Sequence, residues 1–205
     1  MRSKLAWTFV AFAALTGCNS TPAMTETDSG TGGVDAAAPA CMGPAEDARF
    51  GTSVGSLLRP FTLDDCAGNP VSFYDDEWCS DSHRLTVISI AAGWCNPCRL
   101  ESSQLTSRVT EPYGPRGVRV IQILVQDEDF GPVDGAFCDG WVSTYGLTNI
   151  ELIDSGGVQT GRYFPDNALP STLIVDDEGI IRFRENGASD GLSSLTTELD
   201  RLLAE

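Results

Sequence analysis

Apolar and polar positions along the chain divide residues 49–205 into a series of short elements. Phe61-Thr62-Leu63-Asp64 and Val71-Ser72-Phe73-Tyr74 alternate on either side of Ala67-Gly68-Asn69-Pro70, the signature of a β-hairpin. Leu85 to Ala92 is a nearly unbroken apolar run, as expected of a strand buried on both faces, and Val118 to Val125 (VRVIQILV) is a second. Between them a helix is predicted from Pro97, which suits a first turn because its missing N–H would be unpaired there anyway, to about Val109, ending before Pro112 and Gly114. Phe137 to Tyr145 reads as a helix and Ile150 to Ile153 as a short strand. Thr172–Val175 and Ile180–Phe183 read as strands joined by the turn Asp176-Asp177-Glu178-Gly179. Leu192, Leu195, Leu199, Leu202 and Leu203 recur at helical spacing after a capping-type Ser189-Asp190. A leading hairpin, then β-α-β-α-β, then a hairpin and a helix make an α/β domain: a central mixed β-sheet flanked by helices on both faces, with an N-terminal β-hairpin extension.

The first 48 residues lack this pattern. Arg2 and Lys4 precede a short apolar stretch, Leu5 to Leu15, and Leu15-Thr16-Gly17-Cys18 follows it. The stretch is short for a membrane span. With small residues directly before a cysteine it looks like a bacterial lipobox, which makes residues 1–17 a lipoprotein signal peptide and Cys18 the lipidated residue. A signal peptide cut at another small residue is the plainer alternative. Residues 18–48 are polar and rich in small side chains, with too little apolar surface to fold; they read as a flexible tether to a domain spanning 49–205.

Charge narrows the partners. The chain carries a formal −16, and loss of Arg2 and Lys4 with the leader takes it to −18. Lys4 is the only lysine. Nucleic acid, whose phosphates call for basic patches, is a poor partner, and adhesion to an anionic membrane surface is disfavoured.

Candidate chemistry centres on Trp94-Cys95-Asn96-Pro97-Cys98, at a strand-to-helix junction. Two thiols at this spacing can close a small disulfide and reopen it. Cys95 is placed where the amide groups and dipole of a helix N-terminus favour a thiolate, and is expected to attack; Cys98, one turn deeper, is expected to resolve. A C-x-x-C is also half a zinc site, but no second pair or histidine pair completes it, so no metal and no cofactor are expected. Seven cysteines suit an oxidising compartment. Cys41, Cys66, Cys79 and Cys138 allow three disulfide pairings. The favoured one joins Cys66 to Cys79 across the hairpin turn and Cys41 to Cys138 as a staple for the N-terminal segment.

Residues 50–203 resemble the thioredoxin superfamily, and within it the TlpA/ResA-like, AhpC/TSA-related thiol-disulfide oxidoreductases of the bacterial envelope. Four features carry the resemblance: Trp94-Cys95-Asn96-Pro97-Cys98; Glu101, three residues after Cys98; the leading hairpin; and Leu169-Pro170-Ser171-Thr172, running on to Asp176-Asp177-Glu178-Gly179. It implies a thioredoxin-like fold, a cis-proline at Pro170 facing the dithiol, and Trp94 shaping access to it. It also implies disulfide exchange with protein substrates, in the reducing direction more than the oxidising one, fed by a membrane thiol electron donor. The expected setting is a lipid-anchored protein facing the periplasm. Asn19 differs from the Asp that marks enteric inner-membrane retention, so the membrane is left open.

Some positions depart from the pattern. Ser89 stands where thioredoxins carry a buried acid, and Ser103 where a proline often follows. His83, the only histidine, precedes the strand and reads as a surface residue. Glu101 is then the candidate proton carrier for Cys98, although its spacing alone fits a solvated or ion-paired residue as well. A thiol peroxidase of peroxiredoxin type is the nearest rival, but it would need a threonine where Ala92 stands. A thioredoxin-like scaffold or metal-binding module without enzymatic activity is the other alternative.

Overall fold

The computed structural model describes residues 49–74, 82–187 and 191–205. The leader, Cys18, the tether, Cys41, Cys79 and the expected cap Ser189-Asp190 lie outside the described residues.

Among the described residues seven strands form one sheet, in the order β2-β1-β5-β4-β3-β6-β7. Strands β1 (Thr62–Asp65) and β2 (Pro70–Ser72) form the leading hairpin, and β1 pairs antiparallel with β5 (Ile150–Ile153). Strands β3 (Leu85–Ala91), β4 (Val118–Leu124) and β5 run parallel. Beyond β3, strands β6 (Ser171–Asp176) and β7 (Ile181–Asn186) close the sheet antiparallel. All seven residues of β3 are buried, which explains its continuous apolar run.

Helix α1 (Asn96–Leu105) links β3 to β4. The helical path then continues through a π turn at Thr106–Thr110, a short α2 (Glu111–Tyr113) and a 3-10 turn at Gly114–Arg116. Here the expected stop before Pro112 is overturned. The π turn, closed by the Glu111 N–H to the Thr106 carbonyl, widens the helix one turn before the proline. The ring is thereby accommodated instead of breaking the helix. Termination falls to Gly117, whose φ of 86° suits a residue without Cβ.

Helix α3 (Gly135–Tyr145) links β4 to β5, capped by the Asp134 carboxylate, which accepts from the Phe137 N–H at 2.8 Å. Helix α4 (Ser193–Leu202) buries Leu195, Leu199 and Leu202. It starts after Leu192, which offers no side-chain cap, so Ser189-Asp190 fall upstream of its first turn. The Tyr113 hydroxyl donates to the Thr196 carbonyl at 3.2 Å, and Arg108 donates to the Gly191 carbonyl, fastening α4 to the α1–α2 unit. Among the described residues no helix is long and apolar enough to cross a membrane.

The favoured disulfide pairing is corrected. Cys66 is bonded to Cys138, not to Cys79, so Cys138 is not available to Cys41. The cause is the sheet order: pairing β1 with β5 carries the hairpin turn to the start of α3. There Gly135 presses so close that a Cβ would stand 2.4 Å from the Cys66 carbonyl oxygen. The two Cα atoms are 5.3 Å apart, an ordinary disulfide span. Peptide mapping of the non-reduced protein should recover Cys66 linked to Cys138, and a Cys66–Cys79 fragment would contradict this. Because the bond closes a loop across a separation of 72 residues, replacing both cysteines with alanine should lower unfolding stability by about 2–4 kcal/mol in a urea titration.

Candidate active site

Strand β3 ends at Ala91, and the chain turns through Ala92-Gly93-Trp94 into α1. The Cys95 N–H donates to the Ala92 carbonyl at 3.1 Å. Cys95 is the N-cap of α1, and its Sγ accepts from the Cys98 N–H at 3.2 Å. Cys95 and Cys98 are joined as a disulfide with Cα atoms 5.2 Å apart. Both are nearly covered, at 3% and 1% exposure. Exposure therefore hardly distinguishes them; helix position does. Only the Cys95 sulfur receives a helix N-terminal N–H, which would favour its thiolate once the bond opens.

The register pairs Ile90 with Ser171. That places Leu169-Pro170 at the end of the sheet where the dithiol loop begins, and the Leu169–Pro170 peptide is cis. Pro170 is held by the Gly187 N–H, which donates to its carbonyl at 2.8 Å. Trp94 is half-buried. Its Nε1 donates to Gln126 Oε1 at 2.9 Å, and its ring stacks on Phe130 at 5.0 Å between centroids.

Cys98, Glu101, Ser102 and Leu105 form the buried stripe of α1. Glu101 is thus on the inward face one turn beyond Cys98, and among the described residues its Oε2 has no hydrogen-bond partner. Burial, with Glu185 as a nearby like charge, pushes the Glu101 carboxyl up to about 7. This departs from a solvated or ion-paired residue.

Beneath α1 the register lines up five polar residues across five strands: Glu185, Thr172, Ser89, Gln122 and Glu151. Gln122 is 1% exposed. Its Oε1 accepts from Ser102 of α1 at 3.0 Å and from the Trp141 indole of α3 at 2.8 Å, and its Nε2 donates to Ser89 at 3.3 Å. Ser89, in the place of a buried acid, is therefore part of a polar line and not an apolar gap. Burial raises Glu151 well above the usual carboxylate range, against the pull of the Asn149 amide.

Other candidates fall elsewhere. His83 precedes β3, about 20 Å of strand away from the dithiol end. Ser103 is exposed and donates to the Leu100 carbonyl at 2.7 Å. Ala92 is buried, with no hydroxyl at the position a peroxidase would need. Among the described residues no three His, Cys, Asp or Glu side chains converge as metal ligands.

Gln122, Glu151, Glu185, Gln126 and Phe130 are not among the site residues that the sequence predicts. Gln122 and Glu151 had a signal, a polar residue inside an apolar strand. Gln126 and Phe130 belong to a loop whose form depends on its packing. Gly93 sets that packing: a Cβ there would stand 2.5 Å from the Glu128 nitrogen and 2.7 Å from the Phe137 ring.

The Redoxin model matches residues 53–199. The chain belongs to the Redoxin family. Relatives named thiol:disulfide interchange protein DsbE match it from Tatumella citrea, 25% identical over 134 residues, and from Allochromatium vinosum, 30% identical over 107 residues. These alignments cover 65% and 52% of this chain and 65% and 54% of the relatives, so the chain spans less than two thirds of their length. The solved structure of a secreted thiol-disulfide isomerase from Corynebacterium glutamicum superposes with a TM-score of 0.59 at 20% identity, covering 73% of this chain and 86% of that one. The fold is thioredoxin-like.

Glu101 makes the stability depend on pH. Its value near 7 lies above the 4.5 of a solvated glutamate, so the folded protein holds this proton more tightly than the unfolded chain. The stability so conferred is complete below about pH 4.5 and is lost as pH rises through 7, an effect on the order of 3 kcal/mol. Urea midpoints of the oxidised protein should fall over this window, and Glu101→Gln should flatten the fall. Parallel profiles would show that Glu101 carries no such proton.

Proposed function

We propose that this Redoxin-family protein is a thiol-disulfide oxidoreductase of the bacterial cell envelope that exchanges disulfides with protein substrates, in the reducing direction. The observation that carries the reading is the Cys95–Cys98 disulfide at the N-terminus of α1, at the same end of the sheet as the cis Leu169–Pro170 peptide. The names of the relatives from Tatumella citrea and Allochromatium vinosum agree with it.

In the reduced protein the Cys95 thiolate attacks one sulfur of a substrate disulfide. A Cys95–substrate S–S bond forms, and the other substrate sulfur leaves as a thiolate. Cys98 then gives up its proton and attacks Cys95 Sγ, releasing the second substrate thiol and closing the Cys95–Cys98 disulfide. Two electrons have passed to the substrate. Glu101, next along the inward stripe of α1, is the group placed to take the Cys98 proton, because a carboxyl held near 7 can both accept and release one at neutral pH. Trp94 covers the dithiol. The Leu169 N–H is spent on the Asn167 carbonyl at 2.9 Å, which leaves the Leu169 carbonyl to pair with an extended substrate chain.

Cys18 carries the lipid anchor once residues 1–17 are removed, and residues 18–48 tether the domain to the membrane on its periplasmic side. A membrane thiol protein returns the two electrons.

Cys95→Ser should abolish turnover of a disulfide substrate, whereas Cys98→Ser should accumulate mixed disulfides visible on non-reducing gels. Trapping by Cys95→Ser in place of Cys98→Ser would reverse the assigned order. The reduction potential of the couple tests direction: about −270 mV supports a reductase, and about −120 mV an oxidase.

A further inference from the structure

The loop after β4 carries an aromatic side chain that the exchange chemistry does not use. Phe130 is 64% exposed and adopts φ 64°, a left-handed conformation costly for a bulky residue. Its ring nonetheless lies nearly parallel to Trp94, at an interplanar angle of 16°. The loop is built to hold it there. The Gly93 N–H donates to the Gln126 carbonyl at 2.7 Å, and Gln126 Nε2 donates to the Phe130 carbonyl at 3.3 Å. Asp127 Oδ1 accepts from the Asp129 and Gly131 N–H groups at 2.9 and 2.6 Å. One amide, Gln126, therefore grips both members of the stack.

The carboxylates of the same loop are unspent. Glu128 and Asp129 are exposed, and no described residue forms an ion pair with either. Arg99 lines a groove with Glu128, but its Nε is committed to the Gly93 carbonyl at 2.6 Å.

We propose that the Trp94–Phe130 stack, with Glu128 and Asp129 of the same loop, is a recognition shelf that selects redox partners carrying a lysine or arginine beside the cysteine to be exchanged. An aromatic face flanked by free carboxylates attracts a cation through the ring quadrupole and by direct charge attraction. The strongly acidic chain adds a long-range field of the same sign. The inference rests on the oxidoreductase reading above and adds a partner chemistry to it.

The test uses purified protein reduced with dithiothreitol and desalted, mixed with synthetic peptides closed by one disulfide. The peptides differ only in the residue after the attacked cysteine: lysine, glutamate or leucine. Each turnover oxidises Cys95 and Cys98 to their disulfide and yields two peptide thiols, which chromatography counts. At low ionic strength the lysine peptide should react about tenfold faster than the glutamate peptide, and the two rates should converge as salt rises. The lysine-to-glutamate ratio, taken within each protein so that common changes in reactivity cancel, should fall towards one in Phe130→Ala. It should fall likewise in a Glu128→Gln, Asp129→Asn double variant, whose exposed side chains leave the fold intact. Equal rates in the unaltered protein, a faster leucine peptide, or a ratio retained in both variants would overturn the shelf. Hydroxyethyl disulfide, small and uncharged, separates the two readings. If it is reduced without any lysine preference, only the shelf fails; if neither it nor any peptide is reduced, the oxidoreductase reading fails and the shelf with it.

Discussion

One buried amide ties the dithiol helix to the rest of the molecule. Gln122 Oε1 accepts from Ser102 on α1 and Trp141 on α3, while its Nε2 reaches Ser89 on β3. A fully buried amide must find partners or cost several kcal/mol, so these groups constrain one another in angle and in depth. Both helices thereby cover one face of β4, and the stripe Cys98, Glu101, Ser102 is turned inward. Neither the burial of Glu101 nor the position of Cys98 would be set as tightly by an apolar seam, which can slide.

That arrangement brings an electrostatic tension. Glu101 and Glu151 are both buried, each with one carboxylate oxygen that lacks a partner among the described residues. A fold selected for stability alone would not gather them under one face. Glu185, at the end of the same polar line, differs because the Ser194 hydroxyl donates to it and it is only half-buried. The line therefore grades from a half-buried carboxylate to a fully buried one, and Glu101 projects down onto it from the helix.

The central strands were legible because burial on both faces demands a continuous apolar run, as in Leu85 to Ala92. The hairpins were legible because Gly68-Asn69-Pro70 and Asp177-Glu178-Gly179 punctuate them. The redox pair and Pro170 were legible through a short, specific motif. What escaped depended on distant contacts. Pro112 reads locally as a stop, yet a π turn absorbs it. Cys79 is much nearer in sequence to Cys66 than Cys138 is, but sheet order decided the partner. Leu192, with no polar side chain to offer, precedes the last helix in place of the expected cap. Phe130 carried no local signal, since its position comes from Gln126 and Gly93.

The Cys66–Cys138 bond also changes what kind of object the chain is. Residues 66 to 138 become a covalent ring that holds β3, α1, β4 and both members of the redox pair. A single protease cut anywhere in that ring leaves one molecule, not two. The site's sulfurs stay tethered to each other through the intact arc even when the sheet has come apart.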